Sequence, residues 1–193
     1  MFSLRKPSTD ALARLVADQA GRELTHSEHG ATATSDEGPP GYHHDQWQVD
    51  LGEFTQERFD RLAQALIDWR IQDSSGLAIF PAEPVRPGLT FALSFRVGVA
   101  YVIAAGRIVY VTSEPGRSGF AYGTLPAHPE QGEEAFHVEK DGSRLVFRVV
   151  AFSRPRDPLA KLGAPVSRAL QLRMNHRYLR AARELAGIPF EVP

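Results

Sequence analysis

A chain of 193 residues with 42% hydrophobic and 23% charged residues has the make-up of an ordinary globular protein, not of a disordered, collagen-like or coiled-coil one. Its 22 basic and 23 acidic groups leave a net charge of −1, without the basic excess of a nucleic-acid binder, so no nucleic-acid partner is expected. Cysteine is absent, which excludes disulfides, thiolate nucleophiles, thiolate metal sites and iron–sulfur clusters.

In chain order, Ser8, Thr9 and Asp10 offer helix-capping oxygens. Leu12, Leu15, Val16 and Gln19 follow at helical spacing before Gly21, so a short amphipathic first helix is expected. Residues 26–41 are small, polar and rich in Gly and Pro, and read as a mobile loop. Residues 1–40 are thus expected to form an amino-terminal helix and loop ahead of a single domain over 41–193. Gln46 to Leu51 can form a strand with Trp47, Val49 and Leu51 on one side. Thr55 then caps a second helix, in which Phe54 and Phe59 form a hydrophobic staple and Phe59, Leu62, Ala63 and Leu66 make the buried stripe.

From residue 77 to 153 the period changes to two. Leu89, Phe91, Leu93, Phe95 and Val97 alternate with Thr90, Ala92, Ser94 and Arg96, as a sheet with one covered face requires. Further strands are expected over 99–104, 107–113, 119–124, 133–140 and 144–153. Their separators include Ala105-Gly106 and the hairpin signal Asp141-Gly142. After Pro155 and Pro158 comes a long closing helix over 165–186. Val166, Leu170, Met174, Tyr178, Ala181 and Leu185 share one side of it, and Arg168, Arg173, Arg180 and Arg183 the other. Residues 154–183 hold eight basic groups and one acidic, against four basic and eight acidic over residues 1–50, so the two ends can attract each other.

This order predicts an α+β fold, a curved antiparallel sheet of about six or seven strands wrapped round a long C-terminal helix. Where such a sheet curls away from one helix, side chains cannot fill the interior and a pocket opens. The longest apolar runs are about half of the ~20 residues a membrane span needs, and MFSLRKPSTD lacks a secretion signal, so no membrane span and a cytoplasmic location are expected.

The stretch Tyr122 to Glu134, YGTLPAHPEQGEE, resembles the signature of a bacterial and plant family known as a domain of unknown function. Gly41-Tyr42, Leu51-Gly52, Trp69, RIVYV (107–111), AFSRP (151–155), LGAP (162–165) and RYL (177–179) agree with it. The family looks related to the START-like, SRPBCC-type helix-grip superfamily. That kinship implies the same fold and an apolar or amphipathic small molecule enclosed beneath the last helix, but no established activity. Where members are expected to carry Cys before the RIVYV strand, Gly106 stands here, so the resemblance implies no cysteine chemistry.

Several residues can carry chemistry. The HPEQGEE loop supplies His128, Glu130, Glu133 and Glu134, an imidazole and three carboxylates able to bind a divalent cation, to act as acid and base, or to satisfy backbone donors in a stiff turn. Glu134 shares a side with Phe136 and Val138. If that side faces inward, the carboxylate must be protonated or paired, with Arg148 and Arg107 as candidate partners. His43-His44-Asp45 has metal-ligating atoms but no metal-binding spacing, and neither a metal nor a cofactor is expected. Tyr101, Tyr110 and Tyr122 each offer an apolar body and a hydroxyl.

A small-molecule-binding protein is the leading expectation. Its pocket draws on Phe91, Phe95, Tyr101, Tyr110, Tyr122, Phe147, Leu170 and Met174, with His128, Glu130 and Glu134 at the mouth. An enzyme of the same fold, using His128 with Glu130 or Glu134, is the alternative. A third reading is a structural protein without ligand, associating through exposed apolar surface as a homodimer.

Overall fold

The computed structural model describes residues 1–34, 38–156 and 164–188, with the side chains of 164–167 left undescribed. Eight strands form one antiparallel sheet: β1 (Phe2–Ser3), β2 (His43–Glu53), β3 (Ala78–Phe80), β4 (Thr90–Val97), β5 (Ala100–Glu114), β6 (Arg117–Thr124), β7 (Glu130–Asp141) and β8 (Arg144–Pro155). The order is β2-β8-β7-β6-β5-β4-β3, with the two-residue β1 paired to β5. Among the described residues five helices accompany it: α1 (Thr9–Gln19), α2 (Ala31–Thr34), α3 (Gln56–Ile67), α4 (Arg70–Ser74) and α5 (Ala164–Leu185).

The two long amino-proximal helices begin where their caps stand: Ser8 accepts from the Ala11 amide at 3.2 Å and Thr55 from the Arg58 amide at 3.3 Å. The expected staple is present, with the Phe54 and Phe59 rings 6.0 Å apart. The β7–β8 hairpin turns through Gly142 at φ +59°, a conformation that glycine adopts without strain.

Alternation sorts the sheet into two faces. Phe91, Phe120, Phe136 and Phe147 are fully buried on the concave face, beneath Trp69 at the end of α3 and Tyr178 of α5. The Tyr178 and Phe136 rings meet edge to face at 5.0 Å. In the second half of α5, Ala181 and Ala182 are buried, and their small side chains let the helix approach closely. The side chain of Val166, placed on the same stripe from sequence, lies outside the described residues.

The convex face is covered by the amino-terminal segment. Leu12 of α1 packs on Ala92 and Ile103. The first part of the segment read as a mobile loop is pinned instead: Glu133 accepts from the amides of Gly30 and Thr32 at 2.8 and 3.1 Å and from the Thr32 hydroxyl at 2.5 Å. Residues 35–37 of that segment lie outside the described residues.

Several boundaries differ from the reading of the sequence: β2 and β7 begin earlier than expected, at His43 and Glu130, α2 lies within the expected loop, and two expected strands are one. Ala105-Gly106 does not separate two strands but lies inside the 15-residue β5. A Cβ at Gly106 would stand 2.8 Å from Tyr122 and 2.9 Å from Phe91, so this glycine makes room for two rings and does not turn the chain.

Candidate functional site

Between the sheet and the middle of α5, Leu170 to Tyr178, a cavity of about 160 Å³ opens. Phe2, Leu77, Leu93, Phe95, Val102, Leu170 and Met174 form apolar wall. Asp45, Tyr122, His128, Glu130, Glu134, Ser153, Gln171, Asn175 and Tyr178 contribute polar atoms. In comparable terms, an apolar cavity of about 150 Å³ accepts benzene.

Each polar group is placed by the alternation of its strand. Trp47, Val49 and Leu51 share the inner side of β2, and Asp45 continues that set. Asp45 is only 8% exposed and carries a bidentate ion pair with Arg168 of α5, one contact at 2.6 Å. This is one place where the acidic amino-terminal region meets the basic closing helix. Glu134 lies on the inner side of β7 and accepts from the Tyr122 hydroxyl at 2.7 Å. Burial, together with the neighbouring charges of Glu130 and Asp45, pushes its carboxyl up to about 7 against the relief of the Tyr122 hydrogen bond. Glu130 accepts from Gln171, which also donates to the Ser153 hydroxyl at 3.0 Å.

His128 stands beside these carboxylates in a turn held by its own amide, which donates to the Leu125 carbonyl at 2.8 Å. Its Nδ1 accepts from the Glu130 amide at 3.1 Å, and burial pushes the imidazole down to about 4, so it is neutral near pH 7. Glu133, one residue from Glu134, points to the other face. Burial pushes its carboxyl up, but the His26 ring 3.7 Å away and the donors of Thr32 and Gly30 outweigh that and hold it below the usual carboxylate range.

Seven of the residues named from sequence surround the cavity: Phe95, Tyr122, His128, Glu130, Glu134, Leu170 and Met174. Four do not. Phe91 and Phe147 face inward but sit where the core is filled, Phe91 against Trp69 and Tyr122, Phe147 against Phe136. Tyr101 lies on the convex side, because the pairing of Phe95 with Val102 turns Val102 inward. Tyr110 is carried to the convex side by a bulge between Ile108 and Tyr110, where it bonds Thr32 at 2.9 Å and stacks on His137 at 6.2 Å.

Neither arginine named as a partner for Glu134 reaches it: Arg148 pairs with Glu139 at 2.7 Å, and Arg107 donates to the Ala20 carbonyl at 2.7 Å. His43 and His44 are exposed, and His44 bonds the Pro39 carbonyl at 3.0 Å. Among the described residues no group of three or more His, Asp or Glu side chains is arranged to hold a metal ion. No described helix is long and apolar enough to cross a membrane.

Asp45, Ser153, Gln171 and Asn175 are polar lining not expected from the sequence. The signal was present: Gln171 and Asn175 each follow a residue of the apolar stripe by one, and so border its inner side.

Comparison with known proteins places these features in a wider set. A family described as "Domain of unknown function (DUF1990)" matches residues 25–181. The chain is 32% identical to a UPF0548 protein of Deinococcus radiodurans, over 97% of this chain and 100% of that one. It is 30% identical to a UPF0548 protein of Dictyostelium discoideum, over 89% of each. Among solved structures, a hypothetical protein from Helicobacter pylori superimposes with a TM-score of 0.54 at 12% identity, over 85% of this chain and 96% of that one; this likeness is one of fold. The chain therefore belongs to the DUF1990 family, and the matched span holds every residue of the cavity wall except Phe2.

Proposed function

We propose that the protein binds an apolar or amphipathic small molecule between the sheet and α5. The observation that carries this reading is the cavity itself, with Leu93, Phe95, Val102, Leu170 and Met174 on its apolar side and hydrogen-bonding groups converging elsewhere. Its volume favours a guest of one ring or a short chain over a long lipid. Native mass spectrometry of the purified protein tests the reading, with solvent extraction and identification of whatever is released. Replacing Met174 by Trp fills the space and is expected to abolish retention of the guest. A Met174→Trp protein that folds and retains the same guest would overturn the assignment of the site.

A second reading, an acid–base enzyme of the same fold, draws support from Glu134. A carboxyl held near 7 at a cavity wall can give or take a proton at neutral pH. Its expected signature is a guest recovered chemically changed from the native protein and unchanged from Glu134→Gln. Identical recovered molecules from both would leave binding as the function.

A further inference from the structure

We infer that the polar side of the cavity selects a cationic head group, so that the guest is a small amphipathic amine, an aromatic ring or short alkyl chain ending in an ammonium. This rests on the binding reading above and names the ligand class. Three observations converge. Glu134 is an inward carboxylate with a hydroxyl donor and, among the described residues, no cationic partner. Asn175, 5% exposed, lines the same cavity without a hydrogen bond to any described residue. Its amide faces the cavity, where a guest or solvent can supply the hydrogen bonds that the described residues do not. Tyr122 and Tyr178 add aromatic surface beside the carboxylate, which suits an ammonium further.

The charge balance among the described residues runs against the opposite polarity. Asp45 is neutralised by Arg168, and that guanidinium is thereby committed. An anionic guest would meet the Glu134 carboxylate, with no uncommitted cation among the described residues of the cavity to receive it. An ammonium has three donors and no acceptor, and the Glu134 carboxylate and the Asn175 carbonyl are acceptors at the same cavity. The groups around Glu134 are Tyr122 from β6, Glu130 from the start of β7, Asp45 from β2, Ser153 from β8, His128 from the preceding turn, and Arg168, Gln171, Asn175 and Tyr178 from α5. His128 is neutral across the range that matters.

Proton linkage adds a second signature. Since the Glu134 carboxyl sits near 7 when the cavity is empty, an ammonium must displace its proton at lower pH. Affinity should therefore rise about tenfold from pH 6 to pH 8 while the amine itself, with an ordinary pKa near 10, stays charged.

The test is calorimetric titration of the intact protein with three probes of one shape: benzylammonium, benzyl alcohol and benzoate. Benzylammonium is expected to bind at least about tenfold more tightly than benzyl alcohol at pH 8, and benzoate not at all. Glu134→Gln should remove the preference for the ammonium and its rise with pH while retaining benzyl alcohol. Equal binding of ammonium and alcohol, or tighter binding of benzoate, would overturn the head-group inference and leave the cavity reading standing. Failure of all three probes, with nothing extracted from the native protein, would overturn both.

Discussion

Tyr122 and Glu134 stand directly opposite each other on β6 and β7, and the phenol donates to the carboxylate at 2.7 Å. Both members lie on the inner face, Tyr122 buried and Glu134 half-buried at the cavity wall. The bond favours the ionised carboxylate, while burial and the Glu130 and Asp45 charges oppose it more strongly, and the carboxyl comes to rest near 7. A folded-state value above the ordinary 4.5 means the group's stabilising share is fully present below 4.5 and is lost as pH rises through 7. Glu134→Gln is therefore expected to gain about 1–3 kcal/mol on the native protein when stability at pH 8 is compared with pH 5, by urea unfolding. Tyr122→Phe should act the other way on the proton, moving the Glu134 titration above 7 in a carboxyl-resolved NMR experiment.

Two imidazoles, the half-buried His128 and the buried His137, give the opposite slope. His128 is pushed to about 4 by burial, and His137 to about 4 by burial and the nearby Arg117 and Arg148 charges. Both values lie below the ordinary 6.5, so the unfolded chain takes up protons that the folded one refuses. The stability these groups contribute is complete above 6.5 and drains away as pH falls toward 4, at up to about 1.4 kcal/mol per unit for each. Between 4.5 and 7 Glu134 offsets part of that loss. His137→Gln should flatten the fall of the urea midpoint between pH 6 and pH 4.5, whatever it does to the midpoint at pH 7.

Much of the architecture was legible because it rests on periodicity. The period-two run through Phe91, Leu93 and Phe95 found the concave face of β4, and Leu170, Met174 and Tyr178 found the inner side of α5. Legibility ended where one residue changed the count. The bulge between Ile108 and Tyr110 sends Tyr110 to the convex face, and no signal within β5 marks it. Inward direction also does not separate cavity from filled core: Phe91 and Phe95 share a face, but only Phe95 reaches the opening. That difference depends on how far α5 stands off, which is a tertiary property. Asp45 was readable in principle as the next inward position after Trp47, but its polarity suggested solvent.

Gly106 offers a direct test of packing around the site. A methyl group there would meet Tyr122 and Phe91 at 2.8 and 2.9 Å, and both rings are held, Phe91 against Trp69 at 4.9 Å and against Tyr122 at 5.3 Å. Gly106→Ala should cost about 1–3 kcal/mol of stability through overpacking. Because relief requires Tyr122 to move, it should also weaken the bond to Glu134 and raise that carboxyl's titration, as Tyr122→Phe does.

Glu133 and Glu134 are neighbours in sequence with opposite fates, because a strand sends consecutive side chains to opposite faces. Glu133, 2% exposed, accepts three hydrogen bonds from Gly30 and Thr32 and so fastens the amino-terminal segment to the convex face. Its carboxyl is held below the ordinary value, so its stabilising share is present above about 4.5 and is lost only as pH falls below that. Glu133→Gln removes the charge and one of the two acceptor oxygens, and is expected to cost about 1–3 kcal/mol. Amide hydrogen exchange over residues 25–34 should quicken in this variant. In Glu134→Gln, altered on the other face, the same amides should keep the native rate. Equal loosening in both variants would mean that the segment is held by the strand as a whole and not by the Glu133 carboxylate.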